Sequence, residues 1–194
     1  GAGGDGRLVW EPPGAEPPDR FYYDPSDPFR SIGGRSCCMP DAAPMGPYDQ
    51  RRLHRYPTLL VYDSEPLDRP LVAMGSFRAE IFLDSSAADT DLMVQVCDHH
   101  PDGAVFNVIE GIRRVRGADG GRVDLDLGMS AIRFAPGHRI RIVIASSHFP
   151  AYDRNRNDGT RDVDGAPAPT TVAMQTVLHD ADHPSRVVLP VLPG

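Results

Sequence analysis

The sequence predicts an all-β sandwich of jelly-roll type, on three observations. From Thr58 onward, apolar and polar residues alternate at period two in one segment after another. The 19 glycines and 20 prolines punctuate the whole chain and are not confined to one linker, which favours many short strands and turns over long helices. No stretch sustains the helical period of about 3.6 residues, and nothing repeats at the spacing of about 20 to 50 residues that marks solenoids and propellers.

Taken in order, residues 1–58 read as an extended arm with isolated strand. Pro12, Pro13, Pro17, Pro18, Pro25, Pro28, Pro40, Pro44, Pro47 and Pro57 forbid any sustained helix, and such an arm needs a surface, either its own sandwich or a neighbouring domain. Residues 59–194 are expected to form the sandwich. Leu59, Leu60, Val61 and Tyr62 open it, and Phe77, Ala79, Ile81 and Leu83 alternate with Arg78, Glu80 and Asp84 as a strand with one buried face. Leu92, Val94 and Val96 continue the pattern, Pro101, Asp102 and Gly103 make a turn, and residues 105–109 return as the hairpin partner. Further strands are read at 112–115, 123–127, 140–144, 171–178 and 186–191, a total of about eight that suits a jelly roll.

Composition narrows the function classes. The 194 residues are enough for one domain that buries roughly 70% of its unfolded surface. A formal net charge of −7, with no basic stripe carrying interleaved aromatics, argues against nucleic acid as a partner. No apolar run approaches about 18 residues, and Gly1 to Gly6 lack the features of a signal peptide, so no membrane association is expected. Three cysteines cannot all pair, and Cys37 and Cys38 are adjacent, which points to a reducing, cytoplasmic setting with Cys97 as a buried small hydrophobe.

Few motifs carry chemistry. Gly1, Gly3 and Gly6 spell a dinucleotide fingerprint without the strand and helix it needs, so no cofactor is expected. Asp153, Asn155, Asn157 and Asp164 approach calcium-loop spacing, but Asp158 stands where the tight turn needs glycine, and a loop fixed by Asx turns is the plainer reading. His99 and His100, next to a Pro-Asp-Gly turn, would point to opposite faces and read as exposed hairpin histidines. Asp89 and Asp91 share a face and read as structural. A serine nucleophile in an α/β hydrolase needs a G-x-S-x-G elbow, and none occurs; Ser146, Ser147 and His148 are contiguous and form no triad by themselves. No catalytic residue is assigned.

Six segments in order carry a resemblance: FYYDPSDPFRSIGG at 21–34, LLVYDSEPL at 59–67, SSAADTDLMVQVCDHHPDG at 85–103, EGIRRVR at 110–116, FAPGHRIRIVIASSHFPAYDRNRNDG at 134–159 and HPSRVVLPVLP at 183–193. Together they resemble the C-terminal domain of the cocaine esterase and X-Pro dipeptidyl peptidase family of serine hydrolases. The resemblance implies a galactose-binding-like jelly roll beside an α/β-hydrolase domain of the same parent, which would hold the catalytic Ser, Asp and His. It implies that the loop after Gly33 and Gly34 approaches the acyl pocket, placing Arg35, Ser36, Cys37, Cys38 and Met39 there, with Cys37, Cys38 and Met39 as the substrate-pocket candidates. Between Arg116 and Phe134 the chain is shorter than the family pattern, and part of a strand is expected to be lacking. The function implied is support of the hydrolase domain and shaping of its substrate entrance. The other readings are a stand-alone carbohydrate-binding module, with Tyr62 and Tyr152 as its aromatics, and an oligomerisation module, since a long arm can equally cross a subunit boundary.

Overall fold

The computed structural model describes residues 6–35, 41, 44–159 and 170–193. Ten strands run through them: β1 (Gly6–Arg7), β2 (Asp19–Tyr23), β3 (Leu60–Asp63), β4 (Leu71–Ser85), β5 (Asp89–His99), β6 (Val105–Arg116), β7 (Asp119–Phe134), β8 (Arg139–Ala145), β9 (Ala173–Leu178) and β10 (Arg186–Val188). Among the described residues a single 3-10 turn, Leu53–Arg55, is the only helical element.

The strands form a two-sheet β-sandwich. One sheet runs β1-β3-β8-β5-β6. In the other, β4 is the organising strand: β7 pairs along one of its edges, while β10 and β9 pair along the other and β2 follows β9. Alternation explains the layering, because period-two strands send every second side chain to the same face. Leu60, Leu92, Val94, Val96, Ile140, Ile142 and Ile144 from the first sheet meet Phe77, Ala79, Ile81, Leu83, Leu125 and Leu127 from the second in the main core.

The in-between residues of the first sheet are also buried. Leu59, Val61, Met93, Val143 and Ala145 form a second apolar layer with Phe29 and Leu53 of the N-terminal segment. That cover is why the middle of β5 is buried on both faces, so that Met93 is as buried as Leu92, Val94 and Val96. The N-terminal segment also supplies strands: β2 buries Phe21 and Tyr23 and pairs antiparallel with β9.

The stretch expected to lack part of a strand is instead a continuous 16-residue strand, β7. Its glycines are not turns. Leu127 is unmatched on β4, where Phe77 pairs with Gly128 and Arg78 with Asp126, and this bulge bends β7. Likewise 105–109 and 112–115, read as separate segments, are one strand, β6. Gly111 stands at its centre because a Cβ there would lie 2.9 Å from the Leu127 Cδ2 and 3.1 Å from the Asp126 carbonyl oxygen.

Candidate functional site: a groove between the sheet edges

β6 and β7 are the edge strands of different sheets, and a groove of about 550 Å³ opens between them. Phe106, Asn107, Val108, Ile109 and Glu110 line one side, and Met129, Ser130, Ala131 and Ile132 the other, with Gly34, Arg35, Gly46 and Pro47 across the mouth. Two bulges shape it. Val108 is unmatched on β5, where Val96 pairs with Ile109 and Cys97 with Asn107, and Leu127 is unmatched on β4. Bulges at barrel rims and sheet edges re-aim side chains and release backbone groups from the ladder.

The N-terminal segment is fastened to this mouth. Gly34 and Gly46 exchange backbone hydrogen bonds of 2.8 and 3.0 Å, so both roots of segment 35–45 stand side by side. The Asn107 Oδ1 accepts from the Tyr48 N–H at 2.7 Å and from the Gln50 Nε2 at 3.1 Å. Arg35 donates through Nη2 to the carbonyls of Glu110 and Leu127, at 2.5 and 2.7 Å, thereby tying one sheet to the other.

Glu110 is buried beneath this clamp. Burial raises its carboxyl above the usual range, while the Arg35 charge and backbone N–H work in the opposite direction. Gly34 lies directly on it: a Cβ at that position would be 2.4 Å from Oε1. At the other end of the groove, Asp98 and His100 reach its wall, and with His138 they are the three-donor group among the described residues that could hold a metal ion.

Comparison with known proteins decides the family. Residues 3–188 match the family described as the X-Pro dipeptidyl-peptidase C-terminal non-catalytic domain. The chain belongs to that family. It is 33% identical over 201 residues to the cocaine esterase of a Rhodococcus species, a match covering 97% of this chain and 35% of the relative. Among solved structures, an α-amino acid ester hydrolase superposes with a TM-score of 0.84 at 25% identity, and an aminopeptidase from a marine sediment Thaumarchaeota archaeon with 0.80 at 27%. Each match covers 97% of this chain and 35% of the other. The chain therefore spans about a third of the length of these relatives.

Within this C-terminal domain the residues singled out from sequence are widely separated. Cys37, Cys38, Met39 and Asp164 lie outside the described residues, although Arg35 is fixed at the root of the loop. Asn155 is buried and donates to Asp89 and, at 3.1 Å, to Asp91, while its Oδ1 accepts from the Asn157 N–H at 2.9 Å. Asn157 in turn donates to the Thr171 carbonyl at 2.7 Å, and Asp153 sits at the surface. Asp89 and Asp91 are held by Arg116 and Arg114, respectively, at 3.0 and 2.9 Å. Ser146, Ser147 and His148 are all buried, and the Ser147 Oγ accepts from the Phe29 N–H at 2.9 Å. Tyr62 is engaged within the fold, donating to Asp19 at 2.8 Å with its ring edge-on to His179. Cys97 is free and fully buried, and burial pushes its thiol well up.

The histidine reading needs correction. His99 and His100 do point to opposite faces, but neither is an exposed hairpin residue. The His99 Nδ1 lies 3.2 Å from Asp63, and His100 lies 3.1 Å from Asp98. Sequence reading placed Arg35 in the loop after Gly34 without its bonds to both sheets, and it missed Glu110 and His138. For the last, the signal was the Asp98-x-His100 spacing, which puts two donors on one face of a strand. Among the described residues no helix is long and apolar enough to cross a membrane.

Proposed function

We propose that this chain is the C-terminal β-sandwich of a serine hydrolase of acyl esterase or X-Pro dipeptidyl peptidase type, supporting an α/β-hydrolase domain of the same polypeptide and shaping its substrate entrance. Residues 59–194 carry most of the sandwich, and residues 1–58 act as the arm that adds β1 and β2 to its two sheets and crosses the groove mouth. The parent cleaves acyl esters, amides or X-Pro peptides through an acyl-enzyme whose nucleophile, base and oxyanion donors belong to the hydrolase domain. This domain's part is steric: Cys37, Cys38 and Met39 border the acyl pocket, and a flexible thioether is suited to line a pocket that accepts several acyl shapes.

The observation that carries this reading is the anchoring of the loop's two roots, with Gly34 paired to Gly46 and Arg35 bonded to both sheets. A rigid base lets a loop position a pocket wall in another domain. Exposed apolar residues lie near it or along the arm, with Met45 68%, Trp10 64% and Val9 51% exposed. Such residues suit burial against a neighbouring domain.

The test is kinetic, in a polypeptide that includes the hydrolase domain. Cys38→Ala and Met39→Ala are expected to change the ratio of kcat/KM between small and bulky acyl esters with little loss on the preferred one. An unchanged ratio overturns the pocket assignment. Serine-dependent hydrolysis by the 194-residue chain alone overturns the supporting role.

A further inference from the structure

We propose that Asp98, His100 and His138 form a binding site for a first-row divalent transition metal of the zinc class, open to the groove. The backbone places all three donors. Asp98 and His100 are two apart and share a face, and β5 pairs antiparallel with β8 so that Asp98 stands opposite Ile140 and His99 opposite Arg139. One step further, that register sets His138 across from His100.

Both histidines are held in tight turns. The His100 N–H donates to the Ala104 carbonyl at 2.8 Å, and the His138 N–H to that of Ala135 at 3.1 Å. Positions fixed by backbone pairing cost little ordering entropy when an ion binds.

The donor geometry fits a small ion. The Asp98 Oδ2 lies 3.1 Å from the His100 Nε2, and its Oδ1 lies 2.9 Å from the His138 Nδ1, with all three ligand atoms within 4.8 Å of one another. Tetrahedral zinc with bonds of about 2.0 to 2.1 Å sets its ligand atoms about 3.3 Å apart, so small side-chain rotations suffice. The imidazole rings lie 4.2 Å apart between centroids. Two imidazoles and one carboxylate select zinc, cobalt or nickel over the oxygen-seeking calcium and magnesium.

Three protein ligands leave a fourth position, as in sites that bind water or a ligand rather than purely structural ones. Asp98 and His100 line the groove, so that position faces the cavity, where an anionic group could become the fourth ligand. The Phe106 ring, 5.1 Å from that of His100, supplies an apolar wall. Bound metal would also fasten the β5–β6 hairpin to the start of β8.

The experiment is cobalt titration of the chelator-treated chain, followed by visible absorption, together with zinc calorimetry. One ion per chain is expected, with d–d bands of a four-coordinate nitrogen and oxygen site and a raised Tm. His100→Gln and His138→Gln should each weaken binding by at least about tenfold, since even losing a group behind a metal ligand has that effect. His183→Gln, which removes the partner of Asp180 elsewhere on the surface, should bind as the parent does. Imidazole nitrogen resonances of His100 and His138 shifting on zinc addition support the site without any variant. A thiolate charge-transfer band, which would put the ion on Cys37 and Cys38, overturns the proposal. So does undiminished binding by the double His100→Gln, His138→Gln variant, or no binding at all.

Discussion

The Arg35 guanidinium donates to the Leu127 carbonyl at 2.7 Å, across the boundary between the two sheets. Leu127 is the bulged residue of β7, so its carbonyl is free of the β4 ladder and available to the loop root. Replacing Arg35 with Ala removes two hydrogen bonds to carbonyls at once and is expected to cost about 1.5–3 kcal/mol in urea unfolding, the range for bonds to a charged donor. Gly128 next to the bulge has φ +100°, and a Cβ there would be 2.9 Å from the Arg35 Nη1. Gly128→Ala should therefore cost roughly 1–3 kcal/mol, with part of that recovered in the Arg35→Ala background. Strict additivity in the double-mutant cycle would show that the two do not interact.

Glu110 and Gly34 give a second prediction. Gly34 has φ +81° and no room for a methyl above the Glu110 carboxylate, so Gly34→Ala should lower Tm and displace the loop root. Glu110→Gln should do the reverse at neutral pH. Burial raises its carboxyl in the folded state, and stability from such a group is complete below its unfolded pKa and lost as pH rises through the folded one. The variant should thus gain stability over its parent above that window and match it below. A variant less stable than its parent at pH 7.5 would mean that the charge of Glu110 is needed by Arg35.

The legible parts of this fold were those whose signal is local. The alternation of Phe77, Ala79, Ile81 and Leu83, and the turn at Pro101, Asp102 and Gly103, depend only on neighbouring residues, and β4 and the β5–β6 hairpin follow from them. β7 was obscured because Gly120, Gly121 and Gly128 look like turn signals, yet Gly128 serves a bulge and the clamp by Arg35. β2 lies among prolines and gains its place only by pairing with β9, about 150 residues further along. The groove is harder still, since Arg35, Glu110, Leu127 and Met129 meet only when the edges of two sheets converge.

Asn155 separates two buried carboxylates, and its loss should be among the costliest single changes. Its side-chain amide donates to Asp89 and Asp91 through Nδ2 and accepts from the Asn157 N–H at 2.9 Å through Oδ1, while its backbone carbonyl, which a substitution leaves in place, accepts from the Tyr23 hydroxyl at 2.8 Å. Asn155→Asp keeps the shape but substitutes a third negative charge for the donor, leaving Arg114 and Arg116 to balance three carboxylates. A loss of about 3–5 kcal/mol is expected, as for other uncompensated buried charges. Asn155→Ala, which leaves the two acids without their shared donor, should lie below that. Equal Tm values for Asn155→Asp and the parent at pH 7 would sink this account.

Four histidines outside the groove, His54, His99, His148 and His179, should set a stability maximum at about pH 6.5. Burial lowers His54 and His148 from 6.5 to about 4, with the Arg141 charge adding to the effect at His54. The unfolded chain binds protons at these two sites between those values and the folded chain does not, so stability falls as pH drops through that window, by on the order of 3 kcal/mol for each site at full protonation. His179 acts with the opposite sign. Its bond to Asp19 raises it above 6.5, so its contribution is complete below 6.5 and is lost as pH rises through the folded value. Unfolding free energies measured from pH 4.5 to 8 should show both limbs. His148→Leu should flatten the acid limb in part, since burial also lowers His54 and His99, and leave the other limb unchanged, whereas His179→Gln should flatten only the alkaline limb. If His148→Leu left the acid limb intact, the buried layer beneath the N-terminal segment would not be where acid opens the fold.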